Sequence, residues 1–329
     1  MRSFIAANAA AIASAAFMDK LEHNFIQFVA QYNKAYTTYE EYQFRFTNYK
    51  IADAEIEKFN SKNGSSVHAH NNMSDWTREE YSKLMGLKNA GSSNTKSSLR
   101  HVATNAPIAN NIDWVAAGMV NPIKDQGQCG SCWAFSTTAA DESAWAIKTG
   151  TLLSFSEQQL VDCSTAQGNM GCGGGWYYWA WDYLMTSGQM LESDYPYTST
   201  AGVSGACQYN SAKTYGNTAS PTDYVEVGAT TADIKSALNV GPLSVAIAAN
   251  TFYFQFYSGG VLTDAKCGTT IDHAVVAVGY GTDPTYGDYY LVRNSWGTGW
   301  GMSGYVKIGV ADGLGICGIN QDVAYPLFA

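Results

Sequence analysis

All seven cysteines of this 329-residue chain fall between Cys129 and Cys317. That placement divides the chain before any element is assigned. An odd count means that three disulfides would leave one thiol over. Two other properties change in the same region. Residues 1–105 carry 12 Lys and Arg against 10 Asp and Glu, whereas residues 106–329 carry 7 against 18. Four of the five histidines, His23, His68, His70 and His101, precede residue 105, and only His273 follows. The chain is long enough for two domains or one large one. Its net charge of −9 argues against a nucleic-acid surface.

At the N-terminus, Arg2 is followed by an uncharged run to Met18 that contains Ala13-Ser14-Ala15. This is the layout of a secretory signal peptide, taken as residues 1–17. Export would let disulfides persist. The run is too short and too weakly apolar to span a membrane, and no later segment offers the ~20 apolar residues a span requires. Residues 19–88 read as helical, with Tyr42, Phe46, Tyr49, Ile56 and Phe59 at helical spacing. Residues 88–111 are rich in Ser, Asn, Thr and Gly and read as an exposed, cleavable linker. From about Ser131 to Ile147 a small-residue, apolar run predicts a buried helix. Ser156 with Gln159 has the spacing of a capping box. After residue 220, β-branched and aromatic runs separated by Gly, Pro and Asp predict strands. The expected class is therefore α+β, with a helical half and a strand-rich half after the linker. No internal repeat is present.

The stretch "QGQCGSCWAFS", residues 126–136, carries the chemistry. Cys129 and Cys132 admit three readings: one structural and one reactive, a metal pair, or a redox pair. Cys132 stands where a helix begins, and helix N-termini lower the pKa of a thiol. A thiolate nucleophile needs a base, and His273 is the one histidine after the linker. Asn294 can orient that ring through its amide oxygen, and Trp296 can shield the bond from water. Gln126 can donate an amide N–H to a developing oxyanion. For zinc, Cys129, Cys132, Cys163 and Cys172 fall in a plausible order. The eight-residue gap before Cys172 is not a knuckle, and a Trp-rich helix follows Cys132. A redox pair would need a preceding βαβ context, which is not visible. No metal and no cofactor is expected.

Three segments, "QGQCGSCWAFS", "IDHAVVAVGYG" and "YYLVRNSWGTGWGMSGY", resemble the active-site segments of papain-like cysteine proteases, cathepsin L-like in particular. They occur in that family's order, with His273 141 and Asn294 162 residues after Cys132. The family's proregion pattern is similar at Glu41, Arg45, Ile56 and Asn60, with Tyr49 and Ala52 departing from it. A second proregion motif maps onto Ala69, Asn71, Met73 and Asp75, where Ala69 and Met73 depart. The resemblance spans about residues 20–329.

The resemblance implies a signal peptide (1–17), a helical inhibitory propeptide with linker (18–105) and a papain-like peptidase of two domains, one helical and one β-barrel-like (106–329). It implies the pairs Cys129–Cys172, Cys163–Cys207 and Cys267–Cys317, leaving Cys132 as nucleophile. His273 would be general acid and base, Asn294 its orienter, and Gln126 an oxyanion donor. Gly174 and Gly175 would bind the substrate backbone. Tyr177, Ala246, Ile271, Ala274 and Asp322 would shape the P2 pocket, with Trp296 beside the site. Gly173 replaces the family's usual Asn. An acidic Asp322 resembles the arrangement of cathepsin B and implies acceptance of Arg at P2. No insertion resembles an occluding loop, so internal cleavage is expected. The implied partners are protein and peptide substrates and the chain's own propeptide, with no nucleic acid, no membrane and a monomeric state. The implied destination is the secretory pathway, lysosomal or extracellular. Acid is expected to activate the zymogen by protonating carboxylates that hold the cationic proregion on the acidic enzyme. Asn63 and Asn72 begin glycosylation sequons. Two other readings stay open: a catalytically silent homologue used for binding, and a non-enzymatic disulfide-rich protein.

Overall fold

The computed structural model describes residues 19–62, 64–88, 97, 99–103, 108–214 and 220–329. The expected signal segment, Asn63 and much of the linker lie outside the described residues. Two helices open the fold, α1 (Lys20–Gln31) and α2 (Tyr39–Asn60). Thr38 caps α2 by accepting from the Glu41 N–H at 3.1 Å. The apolar positions on α2 serve two faces. Phe46 and Tyr49 pack with Phe25 and Phe28 of α1 in an aromatic core. One to two turns later, Ala52 and Ile56 pack instead on Phe256, far along the chain. The first half of α2 thus builds the prosegment, and the second half docks it.

Residues 19–88 are not helical throughout. β1 (Ser66–His68) interrupts them and α3 (Arg78–Ser82) follows. The helical run ends at Asn60 with Ser61 as its cap, and β-branched Val67 suits an extended strand. β1 pairs antiparallel with β5 (Tyr257–Leu262) at one edge of the sheet. The remaining elements are β2 (Ile112–Asp113), α4 (Cys132–Thr149), α5 (Glu157–Cys163), α6 (Tyr177–Ser187), β3 (Asp223–Glu226), α7 (Thr231–Leu238), β4 (Leu243–Ile247), α8 (Phe252–Gln255), β6 (His273–Asp283), β7 (Gly287–Arg293), β8 (Tyr305–Gly309) and β9 (Val323–Leu327). The sheet runs β1-β5-β8-β7-β6-β4-β9-β3, with β2 also on β6. All neighbours are antiparallel except β5 and β8.

Two apolar cores result. One lies within the sheet domain, around Val245, Val275, Tyr290, Trp296 and Trp300. The other lies among α4, α5 and α6, around Trp133, Leu160, Tyr177 and Trp181. The Ser136 hydroxyl donates to the Val275 carbonyl at 2.9 Å and locks α4 against β6. Ser156 caps α5 as expected, but Gln159 does not complete a capping box. Its amide turns inward to Tyr183, Gly188 and the Met190 N–H, because the buried turn there has backbone groups to satisfy.

The linker is less free than its composition suggests. Arg100 bridges in parallel to Glu226 of β3, and the His101 N–H donates to the Glu226 carbonyl at 2.8 Å. The prosegment therefore holds both edges of the sheet. It is not held mainly by charge. Among the described residues, one ion pair crosses to the peptidase part, Arg100 to Glu226 at 3.1 Å. Arg78 reaches neutral groups instead, Gln255 Oε1 at 3.0 Å and Asn250 Oδ1 at 2.7 Å. Among the described residues the contrast in net charge becomes one ion pair across the interface, and the other contacts there are apolar packing, backbone bonds and bonds from Arg78 to neutral groups.

Candidate active site

Cys132 is the first residue of α4 and is fully buried. The three expected pairs are present, Cys129–Cys172, Cys163–Cys207 and Cys267–Cys317, with sulfurs 2.09, 2.13 and 2.00 Å apart. Cys132 is the free cysteine. No side chain caps α4, so the first N–H groups of the helix stay available near the sulfur. The Ala274, Gly86 and Trp133 N–H groups all favour the thiolate, but burial outweighs them and pushes the thiol up to about 11.

His273 opens β6, and the N–H of the next residue, Ala274, reaches the Cys132 sulfur, which brings the start of the strand to the start of the helix. His273 Nε2 lies 2.9 Å from Asn294 Oδ1. That same oxygen accepts the Ser295 N–H at 2.8 Å, which fixes the orientation of the amide. Nε2 therefore carries the proton and Nδ1 is left as the basic nitrogen. Nδ1 makes no hydrogen bond among the described residues. Burial holds the imidazole down to about 4, against the opposing pull of Asn294 and the Leu84 carbonyl. The Trp296 ring lies tilted against the imidazole, 4.8 Å between centroids, and covers it on that side. Gln126 is buried, and its Oε1 accepts the Ser295 hydroxyl at 2.7 Å, which turns its NH₂ inward. That NH₂ donates to the Cys129 carbonyl at 2.8 Å and to the Leu84 carbonyl at 3.1 Å.

A family described as papain family cysteine protease matches residues 108–327, and one described as cathepsin propeptide inhibitor domain matches residues 25–81. The chain belongs to the papain family of cysteine proteases. Among similar proteins, digestive cysteine proteinase 3 of Homarus americanus is 43% identical over 307 residues, covering 91% of this chain and 92% of that protein. Cysteine protease XCP2 of Arabidopsis thaliana is 39% identical, covering 94% and 86% of the two chains. Among solved structures, digestive procathepsin L 3 of Tenebrio molitor larval midgut superposes with a TM-score of 0.83 at 35% identity, over 94% of this chain and 99% of that one. A recombinant stem bromelain precursor gives 0.82 at 34%, over 94% and 99%.

In this papain-family zymogen, residues 84–88 of the prosegment lie across the cleft. The Gly175 N–H donates to the Gly86 carbonyl at 2.8 Å, and the Lys88 N–H to the Gly175 carbonyl at 2.9 Å. The Leu87 N–H reaches the Asp272 carbonyl at 3.1 Å. Glycines make the approach possible. A Cβ on Gly86 would stand 1.8 Å from the Gly130 carbonyl oxygen, and one on Gly174 2.6 Å from that of Gly86. Leu87 packs into the cluster that holds Tyr177, Ala246 and Ala274, with Ile271 at its margin. Asp322 lies behind that cluster. Its Oδ1 accepts from Tyr177 at 2.5 Å and Tyr178 at 3.0 Å, and burial pushes the carboxyl up to about 6. The fold sets Asn294 and Trp296 against His273, ties Gln126 to Ser295, brings the Ala274 N–H to Cys132, places Gly174, Gly175, Tyr177, Ala246, Ile271 and Ala274 around residues 86 and 87, and leaves Asp322 behind Tyr177. It also adds Ser295, Asp272, Tyr178 and Tyr197, which the sequence reading passed over. Ser295 stands inside the quoted "RNSWG", so its place between Asn294 and Trp296 was a usable signal. Tyr178 and Tyr197 bear no local mark.

Proposed function

We propose that this zymogen yields an endopeptidase in which Cys132 attacks the substrate carbonyl as a thiolate. His273 takes the thiol proton at Nδ1 while Nε2–H stays on Asn294. The C–S bond forms, and the carbonyl oxygen becomes an oxyanion held by the Cys132 N–H and the Gln126 amide. Collapse expels the amine with a proton from His273. Water then enters with His273 as base, releasing the acid and restoring the thiol.

The observation that carries this reading is the Leu84 carbonyl. A peptide oxygen of the chain's own prosegment accepts from Gln126 and faces His273, where a scissile carbonyl would be polarised. With the prosegment in place the thiol is pushed up and the imidazole down, so both are neutral and inert. Uncovering the cleft rehydrates both and favours the ion pair.

The test is to acidify the purified zymogen, add a thiol-directed epoxide and locate the adduct by mass spectrometry. Modification at Cys132, lost in His273→Ala, supports the enzyme. A folded, processed protein left unmodified supports the silent binding homologue instead. Boundaries near residues 17 and 105, a secretory route and maturation in acid belong to the same proposal. The Homarus and Tenebrio relatives are named digestive enzymes, which supports that route.

At P2, Leu87 marks an apolar pocket with Asp322 at its base. Asp322 ionises above about pH 6, so Arg at P2 gains relative to Leu as pH rises through that value. A P2 library run at pH 5 and pH 7 checks this. Asp322→Ala should remove both the Arg preference and its pH dependence.

A further inference from the structure

Tyr197 joins the two halves of the oxyanion site. Its hydroxyl lies 2.8 Å from Ser131 Oγ and donates to the Gln126 main-chain carbonyl at 2.9 Å. Ser131 directly precedes Cys132, whose N–H is one oxyanion donor in the proposed mechanism. Gln126 carries the other. One phenol therefore spans the loop that bears the side-chain donor and the helix start that bears the backbone donor. The ring is itself held rigidly. It meets Phe135 edge-on, 4.9 Å between centroids, and the Tyr197 N–H donates to Glu192 Oε1 at 2.9 Å. The Gln126 loop is also tied to Cys129, whose N–H donates to the Gln126 main-chain carbonyl at 3.4 Å and whose carbonyl accepts from the Gln126 amide at 2.8 Å, a local tie that stops short of Ser131 and Cys132. The Gln126 N–H donates to the Ser295 carbonyl at 2.9 Å, and the Gln128 N–H to the Thr200 carbonyl at 2.8 Å. Neither reaches the start of α4. Gly127 lies between them with φ +60, so the loop turns sharply just past Gln126. Ser131 makes no helix cap, and its hydroxyl is given to Tyr197 instead.

We infer that Tyr197 is a positioning residue for acyl transfer, fixing the separation of the Gln126 amide from the Cys132 N–H. It touches no substrate atom and acts through Gln126 and Ser131. The inference rests on the proposed thiol-protease mechanism. Oxyanion donors act through geometry, and displacement by a fraction of an ångström forfeits much of their effect.

The test uses activated enzyme, with active sites titrated by a thiol-directed epoxide. Tyr197→Phe keeps the ring on Phe135 and removes only the hydroxyl. The expected result is a kcat for peptide amides roughly ten-fold lower, with KM held within about two-fold. Alkylation of Cys132 by iodoacetamide builds no oxyanion, and its rate should stay within about two-fold of wild type. A merely structural role would lower both rates together, and that outcome overturns the inference, as does an unchanged kcat. Ser131→Ala breaks the same bridge from its other end and keeps the question open to test if the first variant folds poorly. The double variant should be no slower than the worse single one, and additive losses would also overturn the inference. Failure of the underlying mechanism is distinguishable, because wild type would then hydrolyse nothing.

Discussion

At the scale of single residues, Gln126 and Gly86 make opposite demands on one small volume. Gln126 must keep its amide N–H groups aimed at the carbonyl oxygen that fills the site, and Ser295 holds it so. Gln126→Ala should lower kcat by about 10²–10³ and also destabilise the zymogen by about 1–3 kcal/mol, because it strands the buried Ser295 hydroxyl and the Leu84 and Cys129 carbonyls. Steady-state kinetics beside a melting curve separates the two. Gly86 must have no side chain, since a Cβ would overlap the Gly130 carbonyl oxygen at 1.8 Å. Overpacking costs about 1–3 kcal/mol. In Gly86→Ala the inhibitory strand should lift, and iodoacetamide should reach Cys132 of the zymogen roughly ten-fold faster or more. An unchanged alkylation rate would mean that the strand does not guard the sulfur.

At the scale of elements, the prosegment is a small aromatic core clamped by one fork of charge. Arg45 on α2 makes a bidentate contact with Glu80 on α3, at 2.6 and 2.8 Å. Glu80 also accepts the Thr77 N–H at 2.8 Å, closing a capping box. Burial opposes ionisation of Glu80, but Arg45 and Thr77 win and hold its carboxyl below the usual value. A carboxylate with a depressed folded pKa stabilises above its unfolded value, near 4.5, and that contribution is lost as pH falls through the lower folded one. Glu80→Gln in an inactive Cys132→Ala zymogen should therefore lower stability by about 1–2 kcal/mol at pH 7. The gap to the parent should close below about pH 4. Unfolding curves at the two pH values test this, and a gap independent of pH would exclude the charge as its cause.

At the scale of the whole molecule, we propose that buried histidine contributes to a pH dependence of docking, beside the carboxylates expected from the sequence. His68 on β1 is buried against the sheet domain, its Nε2 3.0 Å from the Tyr253 carbonyl. Phe59 and Tyr253 face it with their rings, Asn60 grips its backbone, and Asp264 and Lys266 pull its charge in opposite directions. Burial dominates and lowers it to about 4 from a solvated 6.5. His70 and His101 are lowered by burial as well, His70 partly offset by Asp53 and His101 by Asp233. As pH falls through 6.5 a released prosegment binds protons that the docked one refuses, so acid favours release down to about pH 4. Processing of wild-type zymogen should accelerate across that window. His68→Gln, neutral at every pH, should give a shallower profile, and superimposable normalised profiles would remove His68 from the switch.

The sequence by itself determined the family motifs and most of the local elements. Cys132 after Gly130-Ser131, His273 opening an apolar strand and Asn294 before a Trp are each legible because helix starts, strand alternation and motif order are properties of neighbours in the chain. The same holds for the aromatic repeat of α2. What only the tertiary structure decided depends on which surfaces meet. Val67 pairs with β5, Arg100 lies against Glu226, Arg78 reaches the neutral Gln255 and Asn250, and Tyr197 finds Ser131 and Gln126 from some seventy residues away. The upward shift of the Cys132 thiol and the downward shift of the His273 imidazole belong there too, since burial is the first cause of both and no local pattern encodes how much water a side chain will lose.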